Sequence, residues 1–433
     1  MAKYLRASSA TFAAGFRAFI EAKRDQSTGV QDAVRAIIEA VKERGDAALI
    51  DFTAKFDNVD LTEASIRVSA GELADAYHRL EPKLKAALVL AHERIEAHHK
   101  RHLPLGERYS DATGAELGHR WTALDSAGLY VPGGKASYPS SVLMNAVPAK
   151  VAGVERLVMT VPTPHGEVNR AVFAAAYIAG VDEVYRVGGA QAVAALAFGT
   201  SSIQPVVKIV GPGNAYVAEA KRQVFGVVGI DTIAGPSEVV VVADGTADPR
   251  WVASDLLAQA EHDEAAQSIL ITDSGSLAER TAAEVQQQLA TLPRRAIAGK
   301  SWADHGAIIL VAHLLSEAPS LVNELAPEHL ELACAAAEEL LPKIRNAGAI
   351  FIGGLTPEAV GDYVAGPNHV LPTCRAARFS SGLGVYDFMK RTSLLKLNAE
   401  SLAVLGPAAM ALAEAEGLEA HRRSVAVRLA AAG

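Results

Sequence analysis

The 433-residue sequence has only two cysteines, Cys334 and Cys374, and they lie far apart. This excludes a disulfide framework and a Cys-x-x-Cys motif, and it fits a reducing cytoplasm. No apolar run approaches the roughly eighteen residues that a membrane-spanning helix needs. The opening segment MAKYLRASSATFAAGFRAF has too short an apolar run for a secretory signal, and no cleavage site follows it. We therefore expect a cytoplasmic protein with no membrane partner.

The chain also lacks an excess of positive charge. It has 41 Lys and Arg against 49 Asp and Glu, a formal net charge of −8, and the basic residues form no block. This excludes the electrostatic signature of a protein that binds nucleic acid or an anionic membrane. Because half of the residues are hydrophobic and 21% are charged, the chain is of the folded globular class. At this length two or more domains are expected.

The hydrophobic pattern changes along the chain and predicts an α/β protein. Residues 12–55 and 70–102 carry apolar residues at helical spacing. From residue 128 onward, short β-branched runs alternate with Ala-rich helical stretches, which is typical of βαβ units with a parallel sheet. This alternation restarts after TIAGPSE and is lost near residue 380, after which the sequence has a helical pattern.

The pattern divides the chain into four regions. We predict a helical N-terminal region, two α/β domains with parallel sheets and a helical C-terminal tail, with bounds at 1–127, 128–235, 236–378 and 379–433. By elimination, the N-terminal helices are expected to pack on the second α/β domain.

Glycine-rich turns follow three predicted strands of the first α/β domain. They are YVPGGKASYPSS at 130–141, VGGAQA at 187–192 and VGPGNAYV at 210–217, each leading directly into a helix. Glycine lets backbone amides approach a ligand, and a helix N-terminus favours an anion such as a pyrophosphate. Ligands of such domains bind beyond the carboxyl ends of the strands. Each turn alone could be an ordinary tight turn, and none is a Gly-x-Gly-x-x-Gly motif. Together they indicate a nucleotide-sized ligand.

Polar residues interrupt an apolar helix in LLAQAEHDEA, residues 256–265. Gln259 and His262 are three residues apart, so they share a helix face and can converge on one small ligand. The alternative is a helix end whose polar residues face water, since two residues do not make a metal site.

Three further pairs of polar residues lie close together in the sequence. They are Glu328 with His329 at the start of a strand-like run, Asp362 with His369 in a Gly/Pro-rich loop, and Glu416 with His421 in the tail. A neighbouring acid and base suit proton transfer near neutral pH. In the tail, Gly417 is expected to end one helix before His421. The alternative for every pair is a solvated surface position.

The motifs together resemble the histidinol dehydrogenase family in their order and spacing. They are YVPGGKASYPSSVLMNAVPAKVAGV, VGGAQAVAALAFGT, GPGNAYVAEAKRQV, DTIAGPSEV, SDLLAQAEHD, NELAPEHLEL, GDYVAGPNHVLPT and FSSGLGVYDFMKRTS. They cover residues 128–395, and the helical N-terminus and AEAEGLEAH in the tail are also similar. One departure is Cys374, at a position where a small residue, usually glycine, is expected; it adjoins the site region without belonging to it.

The resemblance implies the last two steps of histidine biosynthesis. L-histidinol would be oxidised to the aldehyde and then, with water, to L-histidine, using two NAD in succession. The resemblance also implies two incomplete Rossmann-like domains, one zinc ion per site, and a homodimer. In that dimer the C-terminal tail completes the partner's site, so Glu416 and His421 would act in trans.

The resemblance also implies a role for each of the polar residues. The zinc ligands would be Gln259, His262, Asp362 and His421, although glutamine is an unusual zinc ligand. The metal would grip the imidazole and amino nitrogens of the substrate. His329 would take the alcohol proton, and Glu328 would activate water. The remaining substrate contacts would be Ser237, His369 and Glu416, together with His329 and the zinc ligands. NAD would contact Tyr130, Gln191 and Asn214, one in each glycine-rich turn.

Two other activities remain open. The first is a dehydrogenase of the same fold that acts on another small alcohol, such as a sulfonated propanediol. The second is a zinc hydrolase in which Glu328 serves a metal-bound water. The glycine-rich turns argue against the hydrolase, because a hydrolase needs no dinucleotide. A purely structural or binding role leaves the converging polar positions unexplained.

Overall fold

A computed structural model describes residues 2–22, 29–133 and 138–432. The strands are β1 (Lys3–Arg6), β2 (Arg67–Val68), β3 (Glu107–Ser110), β4 (Glu116–Ala123), β5 (Ser126–Tyr130), β6 (Arg156–Thr160), β7 (Glu183–Tyr185), β8 (Lys208–Val210), β9 (Gly229–Ile230), β10 (Glu238–Ala243), β11 (Gln267–Thr272), β12 (Ala307–Leu310), β13 (His329–Ala333), β14 (Ala349–Ile352) and β15 (Met389–Lys396). The helices are α1 (Phe12–Glu21), α2 (Val30–Arg44), α3 (Asp46–Asp57), α4 (Glu63–Ile66), α5 (Ala70–His78), α6 (Pro82–Lys100), α7 (Pro139–Ala152), α8 (Arg170–Ile178), α9 (Gly189–Phe198), α10 (Ala215–Val224), α11 (Pro249–Ala260), α12 (Gly275–Leu289), α13 (Arg295–His305), α14 (Leu314–Leu325), α15 (Ala337–Leu340), α16 (Glu358–Tyr363), α17 (Ala399–Ala415) and α18 (Glu419–Ala432). None of the helices described is long and apolar enough to span a membrane.

Two six-stranded sheets form the two α/β units. The first sheet has the order β2-β7-β6-β5-β8-β9 and is parallel except for β2. The second sheet has the order β1-β12-β11-β10-β13-β14 and is parallel throughout. Central strands such as β10 and β11 are buried along their whole length. Their sequences are largely apolar because helices cover both faces of a parallel sheet and bury both sets of side chains. The predicted α/β class is confirmed.

Helices cover both sheets on both faces. The first sheet has α5, α6, α7 and α8 on one face and α2, α3, α9 and α10 on the other. The second sheet packs against α1, α14 and α15 on one face and α11, α12 and α13 on the other. Each α/β unit therefore has two apolar cores, one on each side of its sheet.

The expected packing of the N-terminal helices is wrong for most of that region. Helices α2, α3, α5 and α6 pack on the first sheet, where buried residues such as Val34 and Ile95 complete its cores. Only β1 and α1 join the second sheet; β1 pairs with β12, and Phe16 of α1 is buried against its face. The prediction failed because the first sheet needs more helices than its own crossover connections supply to bury both of its faces, and the N-terminal helices supply the rest.

A third, antiparallel sheet was not anticipated. It has the order β15-β4-β3, so a strand from the tail pairs with strands of the N-terminal region. The regions 1–127 and 379–433 are therefore not purely helical as expected. All of β3 and most of β15 are exposed, so their sequences lack the alternation of a half-buried strand. In the tail, α17 and α18 meet at Gly417, whose φ of +71° matches the predicted helix end.

Candidate active site

The glycine-rich turns meet at the carboxyl edge of the first sheet. Tyr130 ends β5, and its hydroxyl accepts a hydrogen bond from the Gly189 amide at 3.0 Å. Gly211 follows β8 with φ +111°, and a Cβ there would lie 2.2 Å from the Tyr130 carbonyl oxygen. A Cβ at Gly188 would lie 2.6 Å from the Pro162 side chain. Glycine is thus required for this close approach of backbones. Residues 134–137 of the first turn lie outside the described residues.

The other two residues predicted to contact NAD differ in their surroundings. Gln191 is buried, and its Oε1 has no hydrogen-bond partner among the described residues. Asn214 is exposed and is the N-cap of α10, because its Oδ1 accepts from the amides of Tyr216 and Val217 at 3.0 and 3.2 Å. A buried, unsatisfied amide oxygen beside glycine turns fits a polar ligand that completes the site.

A second group of predicted residues lies at the amino edge of the second sheet. Ser237 directly precedes β10, and His329 is the first residue of β13. The two strands are parallel and in register, with Val239 opposite His329, so they begin at the same edge. Gln259 lies near the C-terminus of α11, fully buried at this edge. The strand starts and the helix end therefore bring these side chains together.

His329 is the buried centre of this group. Its Nδ1 donates to the Glu238 carbonyl oxygen at 3.2 Å, and its Nε2 lies 3.2 Å from Asp362 Oδ1. Carboxyl oxygens of Glu328 and Glu358 each lie 3.7 Å from Nδ1. Burial by itself would lower the pKa of His329, but the surrounding carboxyls outweigh it and raise that pKa well above its usual value. The surrounding carboxyls therefore favour the protonated, charged form of the imidazole.

Glu328 has the protonation behaviour of an acid-base catalyst. It is 6% exposed, and its Oε2 accepts a hydrogen bond from the Glu238 amide at 2.9 Å. Burial raises the pKa of Glu328 to about 7, although His329 and the Glu238 amide oppose the shift. A carboxyl with that pKa can both take up and release a proton near neutral pH.

Oxygen and imidazole donors converge beside His329. Ligand atoms of His329, Glu358 and Asp362 lie within 4.8 Å of one another. With its amide oriented to satisfy both neighbours, Gln259 donates to Glu358 Oε1 at 2.8 Å and accepts from the Glu238 amide at 2.6 Å. Its carbonyl oxygen keeps a second lone pair for another partner. Glu358 Oε2 is buried with no hydrogen-bond partner among the described residues, so this donor set fits a bound cation.

His262 lies on the open side of this cluster. It follows the end of α11 and is exposed to the cleft, yet enough protein surrounds its ring for burial to lower its pKa. The nearby Asp362 carboxylate opposes that shift only in part. The neutral imidazole is the form that binds a metal.

His369 links the cluster to the first α/β unit. Its Nδ1 donates to the Asp362 carbonyl oxygen at 2.8 Å, so its Nε2 accepts from the Ser141 hydroxyl at 3.2 Å. Burial lowers the pKa of His369, and the ring is neutral. The neighbouring Asn368 donates to the Met144 carbonyl at 2.6 Å. Since Ser141 and Met144 belong to α7, the polar cluster lies in a cleft between the two units.

Comparison with known proteins gives the family. The family model described as histidinol dehydrogenase matches residues 20–429. The chain belongs to the histidinol dehydrogenase family. It is 62% identical to histidinol dehydrogenase of Rhodospirillum rubrum, over 98% of both chains, and 60% identical to that of Rhizobium meliloti, over 99% of both. A crystal structure of histidinol dehydrogenase from Elizabethkingia anophelis matches with a TM-score of 0.94 at 35% identity, covering 99% of this chain and 98% of the other. The family predicted from the motifs is confirmed.

The tail residues expected in a histidinol dehydrogenase site are not brought to the cleft of their own chain. Glu416 and His421 are both exposed, on either side of Gly417. Within the part of the chain that is described, their side chains have no hydrogen bond or ion pair with the cleft residues.

Two features of the site escaped the sequence analysis. Glu358 was not singled out, although it stands four residues before Asp362 in TPEAVGDY, a spacing that places both on one helix face. The second is the backbone conformation at Cys374, which accounts for the glycine expected at this position beside the site. Its φ is +53°, in the left-handed region that favours glycine. A Cβ added at Gly235, two residues before Ser237, would collide with the Cys374 sulfur at 2.1 Å.

Proposed function

We propose that this chain oxidises L-histidinol to L-histidine in two NAD-dependent steps, with zinc bound in the cleft between its α/β units. One observation carries the proposal: His329, Glu328 and Asp362 form a buried acid-base cluster, and His369 links it to Ser141 at the end of the first glycine-rich turn. The family membership supports the same reaction. A place in the cytoplasm fits this role in amino-acid biosynthesis.

Zinc would be held by Gln259, His262 and Asp362 of one chain and by His421 of the partner subunit. When bound, the ion supplies a template that orients the imidazole and amino nitrogens of the substrate. The proximity of the first three residues to His329 supports this set, and so does the neutral state of His262. Glu358 would support the site by holding the Gln259 amide in place.

A homodimer would bring the tail into the partner's cleft. Four large apolar residues of α17, α18 and their connection are exposed by 42–66% in the single chain: Val404, Leu412, Leu418 and Val427. An apolar surface of this kind marks a protein contact. The exposed Glu416 and His421 lie on the same hairpin, so a contact made by the tail would carry both into a second subunit.

His329 would act as the base of the first oxidation. Its Nδ1–H is fixed by the Glu238 carbonyl, so Nε2 is the nitrogen that exchanges a proton with the substrate hydroxyl. The Asp362 carboxylate is one of the charges that raise the pKa of His329, so an Asp362 that held a cation would raise it less. The glycine-rich turns would hold NAD, which would supply the hydride acceptor for the carbon that bears this hydroxyl.

Glu328 would act in the second oxidation, which consumes water. Its pKa near 7 makes a substantial fraction ionised at neutral pH. The carboxylate can then take a proton from the water that attacks the aldehyde. Ser237, which directly precedes β10, and the neutral His369 would bind the substrate beside this pair.

The function is tested by measuring the amount of NADH formed per L-histidinol consumed, with and without a chelator. Two NADH per substrate, histidine as the product, and loss of activity after metal removal are expected. Turnover of another alcohol but not of histidinol would favour the dehydrogenase alternative, the oxidation of a different small alcohol. Hydrolysis without any NAD binding would favour the zinc hydrolase.

A further inference from the structure

Asp57 is a carboxyl group that the proposed reaction does not use. It is the last residue of α3, and its Oδ2 is buried without a hydrogen-bond partner among the described residues. Burial raises the pKa of Asp57. Helix α3 is already ended by Asn58, which takes the left-handed conformation at φ +51°. The fold therefore gives the Asp57 carboxyl no capping role.

The position of Asp57 is at the carboxyl edge of the first sheet. The buried Tyr130 hydroxyl lies within electrostatic reach of Asp57: burial raises the pKa of Tyr130 to about 12, the hydrogen bond from the Gly189 amide opposes this shift, and the Asp57 charge adds to it. The end of α3 also packs on the loop that follows β6, since a Cβ at Gly166 would lie 3.9 Å from Val59. Asp57 thus stands beside Tyr130, in the first of the three turns where the dinucleotide is proposed to bind, and beside the loop that follows β6.

Other polar atoms at this edge also lack partners. Thr163 Oγ1, in the loop after β6, and Gln191 Oε1, after β7, are buried with no hydrogen bond among the described residues. Leaving a buried polar atom unsatisfied is costly, so such atoms mark a place where a ligand or water completes the hydrogen bonding. A carboxylate can only accept, and the partner it needs is a donor such as a sugar hydroxyl.

The side of the sheet tells which part of the dinucleotide lies near Asp57. Helix α3 packs on the same face as α9 and α10. The cleft with His329 lies on the opposite face, where Arg94 of α6 donates to the Val364 carbonyl at 2.9 Å and His369 meets Ser141 of α7. The nicotinamide has to reach the cleft. A ribose bound beside Asp57 would consequently be the adenosine ribose.

We propose that Asp57 selects NAD over NADP by accepting hydrogen bonds from the adenosine ribose hydroxyls. This inference rests on the proposed NAD-dependent function. NADP carries a phosphate on the 2′ oxygen, which would remove the donor and place negative charge against the carboxylate. An acidic residue in this role is a general device of dinucleotide-binding α/β domains.

The test compares kcat/KM for NAD and for NADP, at saturating L-histidinol, in the wild type and in Asp57→Asn. The ratio of the two values should fall by about 10- to 100-fold in the variant, because one charge-assisted hydrogen bond is lost and one repulsion is removed. Asp51→Asn is the matched control, since Asp51 lies on the same helix and pairs with Arg44 at the surface; its ratio should not change. Asp57→Ser is a second variant in case Asp57→Asn does not fold.

The outcomes separate this inference from the proposed function. A wild type that reduces NAD with histidinol, and an Asp57→Asn enzyme with the same cofactor ratio, would overturn the role of Asp57 alone. An equal loss with NAD and NADP would do the same, because it would mean that Asp57 only supports Tyr130. If the wild type reduces neither cofactor with histidinol, the proposed function itself fails.

Discussion

The two sheets have the same number of strands, but their candidate functional residues lie at opposite strand ends. In the first, the proposed ligand-binding residues follow the carboxyl ends of β5, β7 and β8; in the second, the polar cluster lies at the amino ends of β10 and β13. Helices begin at the first edge and α11 ends at the second. Helix N-termini favour anions and C-termini favour cations, so the first edge suits the phosphates of the proposed cofactor and the second edge suits the proposed zinc ion.

The edges also differ in what does the binding. At the first edge the space is set by backbone, with glycines at 188, 189 and 211 where a side chain would collide. At the second edge the candidate binding groups are side chains, and Glu328, His329 and Glu358 are nine-tenths or more buried. Variants should therefore separate cofactor binding from metal binding and proton transfer.

Loss of a metal ligand should have the largest effect. His262→Asn is expected to lose zinc and substrate binding together and to leave no measurable dehydrogenase activity, because a cation site needs its full donor set. Zinc per chain, measured by elemental analysis after dialysis, checks this. His165→Asn is the control, since His165 is exposed with φ +57°, a conformation that Asn tolerates. Retention of zinc with wild-type affinity in His262→Asn would remove His262 from the ligand set.

Loss of the proposed base, His329, should have the second-largest effect. His329→Asn is expected to lower kcat by roughly 10²–10⁴-fold while zinc stays bound, as removal of a general base does. Steady-state rates and zinc content on the same preparation check this. Wild-type turnover in His329→Asn would show that another group takes the alcohol proton.

A change at the first edge should act on the cofactor alone. Gly188→Ala places a Cβ 2.6 Å from Pro162, and we expect about a ten-fold rise in the KM for NAD with zinc content unchanged. Gly275→Ala is the matched control, because a Cβ there meets nothing within 4 Å. An equal loss of zinc in Gly188→Ala would mean that the two edges are not independent.

The smallest expected effect is on thermal stability and concerns Glu331, a buried carboxyl in β13. Burial and the neighbouring Asp255 carboxyl raise the pKa of Glu331 to about 9. A raised carboxyl pKa gives stability that is complete below the unfolded value and is lost as the pH rises through the folded value. Glu331→Gln mimics the protonated form, so its thermal midpoint should exceed that of the wild type by a gap that widens from pH 5 to pH 9.

Thermal unfolding at a series of pH values checks the Glu331 prediction. The exposed Glu279→Gln serves as the control, and its difference from the wild type should stay constant with pH. A constant gap for Glu331→Gln as well would mean that Glu331 ionises at its usual pH in the folded protein.

Much of the fold and part of the site could be predicted because the signals are local. Strands such as β10 and β11 are rich in β-branched residues, and glycines mark the turns before α9 and α10. The adjacency of Glu328 and His329 and the helical spacing of Gln259 and His262 are equally local. The exposed strands β3 and β15 gave no such signal, because neither has a buried face.

By itself, the sequence determined the α/β alternation, the three glycine-rich turns and the kinds of side chain available for chemistry. Only the tertiary structure decided that α2 to α6 cover the first sheet, that the two groups of residues lie at opposite strand ends, that Glu358 lies beside His329, and that Asp57 lies near Tyr130. The physical reason is that burial and neighbouring charge set what a carboxyl or imidazole does. Those surroundings come from segments far apart in the chain, as with the Asp362 carboxylate beside His329.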